Sequence, residues 1–132
     1  MAAIAPILTL PQLAQFSGGD LRLDSTGAMV ITGDLSAGTG SVTLNPTGTL
    51  TRSAGTLTAD VVNLGTGGSA AAIGAMDAPV LVRSAAGAAS PAVAATAQMG
   101  GIYLTQSAGD LTTGSYTLDA AGTGQTISLS TT

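Results

Sequence analysis

The sequence predicts an all-β protein, namely a parallel β-helix (β-solenoid) with coils of about 20–22 residues. The first observation is a block that recurs after 21 residues: residues 19–29 lie over residues 40–50, with glycine, threonine and apolar positions retained. The second is a set of short segments in which apolar and polar residues alternate, as in strands with one buried face. The third is the glycine-containing punctuation between these segments. A fixed period of this length is typical of stacked coils, each covering the apolar face of the last.

The composition limits the kind of core and the kinds of partner. Aromatic residues make up only 2% of the chain, so the core must be aliphatic, which suits a narrow interior. The mean hydropathy of +0.47 argues against a disordered linker. Seven acidic and three basic residues give a net charge of −4, and Cys and His are absent. We therefore expect no nucleic-acid partner, no disulfide and no membrane insertion.

Ten short segments are predicted to be strands, with glycine at most of the corners between them. In chain order they are Leu21–Leu23, Ala28–Ile31, Val42–Leu44, Thr49–Thr51, Thr56–Thr58, Val61–Leu64, Val80–Val82, Ile102–Leu104, Ser115–Leu118 and Thr126–Leu129. Residues 1–17 are predicted to form an N-terminal segment that partly caps the first coil, and residues 18–132 to form the coils. Residues 84–99 are predicted to leave the stack as a loop, because Gly87 and Pro91 interrupt an alanine-rich run.

Winding at a fixed period places equivalent residues of successive coils above one another, so their inward side chains form a structural core ladder. The repeat predicts one row with Leu21, Val42 and Val62. A second row contains Leu23, Leu44 and Leu64, and the later strands supply further members. The predicted ladder residues are Leu21, Leu23, Val42, Leu44, Val62, Leu64, Ile102, Leu104, Ile127 and Leu129.

An ordered set of segments in the second half of the chain carries a family resemblance. The segments are Ala72-Ile73-Gly74, Ala78-Pro79-Val80-Leu81-Val82, Gly100-Gly101-Ile102-Tyr103-Leu104 and Gly109-Asp110-Leu111, and Ser53-Ala54-Gly55-Thr56-Leu57-Thr58 recurs as Ser107-Ala108-Gly109-Asp110-Leu111-Thr112. Together they resemble a unit of filamentous-haemagglutinin-like exoproteins, which are large bacterial surface adhesins exported by two-partner secretion. The likeness covers residues 18–132.

The resemblance implies a right-handed parallel β-helix in the shaft of a secreted adhesin at the bacterial cell surface. The family's N-terminal secretion domain and its asparagine-proline-asparagine-leucine motif are missing, since Asn45-Pro46-Thr47-Gly48 differs from that motif. Export by this route is therefore expected of a longer parent chain.

Catalysis at neutral pH would depend on Asp, Tyr103 or Tyr116, because the chain has no His, Glu, Lys or Cys. Asp20 and Asp24 flank a predicted strand, as the carboxylate pair of a polysaccharide-degrading β-helix would. However, Asp is also favoured at the turns that end a ribbon, and no Ser lies in a nucleophile-elbow pattern. The sequence therefore predicts that the protein is not an enzyme.

Calcium and phosphate sites have weaker support still. Asp20, Asp24 and Asp34 do not recur one coil later, as the aspartates of calcium-loaded solenoids do. The run Gly65-Thr66-Gly67-Gly68 lacks the Lys and the following helix of a phosphate-binding loop. We therefore expect no metal and no cofactor, with turn-forming aspartates and a corner at the glycines.

The outward faces and the open ends leave two alternatives to an adhesive shaft. Hydroxyl pairs such as Thr49/Thr51 resemble those of ice-binding solenoids, although Arg22 and Thr43 share a row and so break the array. A threonine-bearing face would serve ice or glycan binding. The ends of a cut solenoid expose unpaired strand edges, which predicts end-to-end self-association, as in a filament or surface-layer subunit, or continuation into a larger chain. The sequence identifies no receptor.

Overall fold

The computed structural model describes residues 7–10, 20–67, 71–84, 91–98, 100–107, 116–122 and 125–132. These residues form strands and no helix, and hence no helix that could cross a membrane. The strands are β1 (Ile7–Leu10), β2 (Leu21–Ser25), β3 (Ala28–Ile31), β4 (Leu35–Pro46), β5 (Leu50–Arg52), β6 (Leu57–Thr66), β7 (Val80–Arg83), β8 (Ala92–Ala97), β9 (Ile102–Gln106), β10 (Tyr116–Ala120) and β11 (Ile127–Thr131).

All pairings between these strands are parallel, and they arrange the strands in three columns. The first column is β2–β4–β6–β8–β10. The second is β1–β3–β5, prolonged by single bridges from Leu50 to Ile73 and from Ile73 to Ile102. The third is β4–β6–β7–β9–β11. The result is a β-solenoid of about 4 turns, which confirms the predicted fold class.

The 21-residue repeat is visible as strand register. Leu21 pairs with Val42 and Val42 with Val62, while Leu23 pairs with Leu44 and Leu44 with Leu64. All of these side chains are buried, and outward residues alternate with them along each strand. This is the pattern of a pleated ribbon with one face on the core. Met29, Ile31, Leu50 and Ile73 from the second column complete the aliphatic interior.

The core ladder ends before the last strand. Of the ten predicted ladder residues, the first eight are buried, from Leu21 to Leu104. Ile127, by contrast, is 45% exposed, and Leu129 is only partly buried against the core. Both lie on β11, which pairs with β9 on one side, and no described strand covers its other side. The prediction of Ile127 as a core residue was therefore wrong, because burial in a solenoid needs a coil on each side.

The predicted loop at 84–99 contains a strand. Residues 92–97 form β8 and pair with β6 on one side and β10 on the other, so the loop prediction was wrong over this stretch. Residues 85–90 and 99 lie outside the described part of the chain. Similarly, β1 falls within the predicted cap at 1–17 and pairs with β3 as a member of the second column. The rest of 1–17 is not among the described residues.

Coil length grows along the chain. Hydrogen bonds between successive coils join residues 20 to 22 positions apart in the first coils, as predicted. Later the separations are 24 between Asp60 and Ser84 and 25 between Thr105 and Ser130. Val62 pairs with Val93, 31 positions further on. The predicted period of 20–22 is thus too short for the later coils, which carry extra residues at their corners.

One corner requires glycine. Gly55 has a φ of 90° and lies directly against Gly33 of the preceding coil. A β-carbon at Gly55 would overlap the carbonyl group of Gly33. Positive φ and backbone contact both exclude a side chain here, so this corner fixes how closely the first two coils approach.

Candidate functional site: polar surfaces of the coils

The aspartates of the first coils hold neighbouring coils together. Asp20 Oδ1 accepts hydrogen bonds from the Ser41 backbone N at 3.1 Å and from Ser41 Oγ at 2.9 Å. Asp34 Oδ1 accepts from the Thr56 backbone N at 3.0 Å. Asp60 Oδ1 accepts from Ser84 Oγ at 2.9 Å. Each carboxylate therefore bridges to the next coil, about one turn later in the sequence.

Asp24 is the most strongly engaged of these carboxylates. Arg22 Nε donates to Asp24 Oδ2 at 3.1 Å, and Asn45 Nδ2 donates to Asp24 Oδ1 at 3.0 Å. The hydrogen bond from Arg22, followed by that from Asn45, lowers the pKa of Asp24 below its ordinary value. The carboxylate is thus held in its charged, acceptor-only form.

The structure does not bring Asp20 and Asp24 together as an acid–base pair. Four residues of extended strand separate them by roughly 13 Å, whereas the carboxyl groups of glycoside hydrolases lie about 5 to 9.5 Å apart. Arg22 projects from the same outer face between them and pairs with Asp24. The tyrosines considered for catalysis lie elsewhere: Tyr116 Oη donates to Gln106 Oε1 at 3.0 Å, and Tyr103 is half-buried on β9.

The other candidate ligand groups are also dispersed. Across the described segments, no three Asp, Glu, His or Cys side chains converge as metal ligands would. The outward row that contains Arg22 and Thr43 continues through Asn63, Ala94 and Thr117, so hydroxyls do not repeat along it. Val30 pairs with Thr51 in the next column, which breaks that row in the same way.

A cleft of about 270 Å³ lies at the end of the first column, where three coils meet. Its walls come from three equivalent segments: Asn45–Thr47, Gly65–Gly67, and Thr96 with Gln98. Gly65 pairs with Thr96, and the Gly67 backbone N donates to the Pro46 carbonyl at 3.2 Å. Residues 65–67 of the glycine-rich run considered for phosphate binding therefore form the floor of this cleft, and Gly68 lies outside the described residues. All of its lining side chains are uncharged.

The interior of the solenoid becomes polar near the last coil. Gln106 continues the inward row of Leu57 and Val82, is fully buried, and accepts the hydrogen bond from Tyr116. Tyr116 belongs to the first column and Gln106 to the third, so the tyrosine reaches across the core. The only hint of this feature in the sequence is the pair of polar-tipped residues at positions where earlier coils have Val or Leu.

Comparison with known proteins adds no relative. No protein-family model matches the sequence, and no curated protein or solved structure is significantly similar to it. The resemblance to filamentous-haemagglutinin-like exoproteins therefore rests on the ordered segments of this sequence, and the β-solenoid of about 4 turns is compatible with it.

Proposed function

We propose that the chain is a non-catalytic shaft segment of a secreted bacterial surface protein of the filamentous-haemagglutinin type. The observation that carries the proposal is a continuous aliphatic core on which parallel strands stack coil upon coil, in three columns. The length of such a body is set by the number of coils, which is the property that a spacer requires.

The cross-coil contacts suit a load-bearing rod. Each coil advances the rod by about 4.8 Å, so about four turns give roughly 20 Å. Backbone hydrogen bonds between parallel strands run along the rod, and the bridges from Asp20, Asp24 and Asp60 add side-chain links in the same direction. A shaft built in this way holds adhesive regions of a parent chain away from the cell.

The carboxylate geometry supports a role without turnover. Asp20, Asp24 and Asp34 are each committed to a partner in the next coil. We expect no hydrolase or lyase activity on polysaccharides from the wild-type chain. Replacing Asp20 or Asp24 by Asn in the full chain should therefore change nothing. A measurable wild-type rate that falls in either variant would contradict the non-catalytic role.

Surface location is the sharpest test of the shaft proposal. Antibodies raised against residues 20–132 should label intact producing cells as strongly as permeabilised ones. The reading frame in the producing genome should extend into further repeats of this kind, with a gene for an outer-membrane transporter beside it. Labelling only after permeabilisation would overturn the proposal.

A second candidate function, self-assembly, is favoured by the free edge of the last coil. In the described structure β10 and β11 each pair on one side only, and Ile127 is 45% exposed. The outward residues of β11, such as Ser128 and Ser130, include no Lys or Pro that would blunt an edge. A second copy stacked head to tail, or further coils of a parent chain, would cover this edge.

Sedimentation velocity over a hundredfold concentration range tests self-assembly. The wild-type chain should shift to larger species as its concentration rises. The double variant Ile127→Lys, Leu129→Lys should remain monomeric, because two ammonium groups at the edge oppose stacking. The control Ala94→Lys places a charge on the outer face of β8, which pairs on both sides, and should assemble as the wild type does. A strictly monomeric wild type, or a double variant that assembles equally well, would refute the proposal.

A further inference from the structure

We propose that the cleft between Asn45, Gly65 and Thr96 is a binding site for a neutral sugar residue. This inference goes beyond the shaft role and does not depend on secretion or adhesion. It rests on three observations. Two glycines, Gly65 and Gly67, leave a gap although the backbone conformation does not require glycine there. A hydrogen-bond acceptor with a fixed orientation faces the gap, and the lining side chains carry no charge.

The cleft exists because one coil has glycine where its neighbours have polar side chains. Asn45 and Thr47 line it from the preceding coil, and Thr96 and Gln98 from the following coil, while Gly65 and Gly67 lie between them. Neither glycine has a positive φ. The missing side chains therefore open a notch in an otherwise continuous outer row.

Packing does not demand these glycines either. A β-carbon on Gly67 would meet Thr47 at 3.9 Å, which is ordinary van der Waals contact. A β-carbon on Gly65 would approach only Asn45 Oδ1, at 3.1 Å, and would displace that oxygen by a few tenths of an ångström without turning the amide. This contrasts with Gly55, which conformation and backbone contact both require. The notch is thus a feature that the fold permits but does not need.

The orientation of the Asn45 amide is fixed by the charge on Asp24. Because the Asp24 carboxylate can only accept, Asn45 must turn its NH₂ group to it, and the donor–acceptor distance is 3.0 Å. Asn45 Oδ1 then lies over Gly65 as an acceptor facing the notch. The side chains of Thr47, Thr96 and Gln98 make no hydrogen bond to any described residue, so their groups are available to a ligand.

This set of groups matches a ligand that both donates and accepts hydrogen bonds without charge. Two amides and three threonines line the site, and the hydroxyl of one of them, Thr66, is already bonded to the Ala71 carbonyl. The residues next along the row are the carboxylates Asp24 and Asp119, which adjoin Asn45 and Thr96. Arg22 already pairs with Asp24, and no cation lines the cleft, so an anion there would face the carboxylate of Asp119 without a partner. This disfavours phosphate. The volume of about 270 Å³ lies just below that of pockets for drug-sized ligands. A single sugar residue of a longer glycan suits both the size and the chemistry.

Titration followed by amide NMR on the full chain tests the site. The probes are methyl α-D-glucopyranoside, methyl β-D-galactopyranoside and N-acetylglucosamine, with inorganic phosphate as the anionic comparison. At least one sugar should shift the backbone amides of Asn45, Thr47 and residues 65–67 and 96–98 with a Kd of about 1–5 mM, since the site has no aromatic ring for stacking. Phosphate should shift none of them.

Three variants make the test specific. Gly67→Thr fills the notch and should raise the Kd by about tenfold or more. Thr96→Val keeps the shape but removes one hydroxyl and should raise it by about threefold. Ala94→Thr adds the same side chain to an exposed position outside the cleft and should leave the Kd unchanged. Thermal unfolding by circular dichroism checks that all three variants fold.

The proposal is overturned if no sugar shifts these amides at concentrations up to about 50 mM, well above the expected Kd. It is equally overturned if phosphate shifts them as the sugars do, or if a folded Gly67→Thr binds sugar as tightly as the wild type. None of these outcomes bears on the shaft proposal, which cell-surface labelling tests separately.

Discussion

The first coils and the later coils of this solenoid solve the same stacking problem in different ways. In the first coils, residues 20–66, equivalent positions are 20 to 22 residues apart, and polar side chains bridge from one coil to the next at matched positions. In the later coils, residues 80–131, the steps are longer and less regular. The backbone columns nevertheless continue without interruption.

The interior is also less regular in the later coils than in the first, both in side-chain size and in polarity. The first coils bury large aliphatic residues such as Met29, Leu44 and Leu50. β8 contributes only Val93, Ala95 and Ala97, and the next coil inserts Gln106 and Tyr116 into the rows. Parallel strand pairing therefore tolerates wide variation in side-chain volume and corner length, provided that the inward positions remain uncharged and satisfied.

The largest expected effect is a charge in the regular core. Leu44→Asp places a carboxylate in a fully buried row between Leu23 and Leu64 and should destabilise the fold by more than about 4 kcal/mol. Thr43→Asp, one residue away on the outer face, should cost less than about 1 kcal/mol, since a carboxylate there still accepts from Asn63 Nδ2. Urea denaturation measures both. Equal losses would contradict the register of the first coils.

A backbone contact gives the next largest effect. Gly55→Ala should cost more than about 3 kcal/mol, because it combines positive φ with overlap against Gly33. Gly74→Ala, with a φ of 72° and a β-carbon that would overlap the Tyr103 carbonyl of a later coil, should cost a similar amount. Gly67→Ala, whose β-carbon would be in ordinary van der Waals contact with Thr47, should stay within about 0.5 kcal/mol. A Gly74 variant as stable as the wild type would mean that close backbone approach is confined to the first coils.

The polar interior of the later coils should give an intermediate effect. Tyr116→Phe removes the donor to the buried Gln106 Oε1 and should cost about 1–2 kcal/mol. Tyr103→Phe is the matched control, since the Tyr103 hydroxyl makes no hydrogen bond to the described residues. It should cost less than about 0.5 kcal/mol. If thermal unfolding gives equal losses for the two variants, the cross-core hydrogen bond contributes nothing.

The smallest effect concerns pH and the first coils alone. Because hydrogen bonds from Arg22 and Asn45 lower the folded-state pKa of Asp24, its contribution is complete above the unfolded-state value of about 4. It is lost as the pH falls through the lower folded-state pKa. Asp24→Asn should therefore flatten the acid limb of stability against pH, and Arg22→Gln should do so in part. Superimposable acid limbs for Asp24→Asn and wild type would contradict this.

The regular coils were predictable from the sequence because each apolar residue has an apolar counterpart at a constant distance. Leu23, Leu44 and Leu64 disclose the register on their own. The strand Ala92–Ala97 could not be found in this way, since alanine is equally at home on the inner and outer face and shows no alternation. Residues 35–40 of β4 were missed because their two glycines indicate a turn, whereas the structure absorbs them as register shifts.

The sequence does indicate the candidate binding site, but only when the 21-residue repeat is extended by one further coil. Extending the alignment by one coil places Gly65 and Gly67 over Asn45 and Thr47, so both outward side chains are lost together. Glycine near a corner ordinarily indicates positive φ, and only the backbone conformation separates a required glycine from a dispensable one. The opposing wall is formed by Thr96 and Gln98. Thr96 pairs with Gly65, 31 positions earlier, and no fixed period of about 21 residues predicts that pairing.

The parallel columns have a consequence for how the chain folds. No two paired strands are joined by a tight hairpin, so every ladder requires closure of a loop of about 20 residues or more before its first contact forms. Folding should be slow and should start where closure is shortest, between β4 and β6. Each folded coil then presents unpaired backbone N–H and C=O groups with which the neighbouring coil can pair, so folding can propagate in both directions along the solenoid. A chain emerging gradually from one end would need to order only one turn at a time.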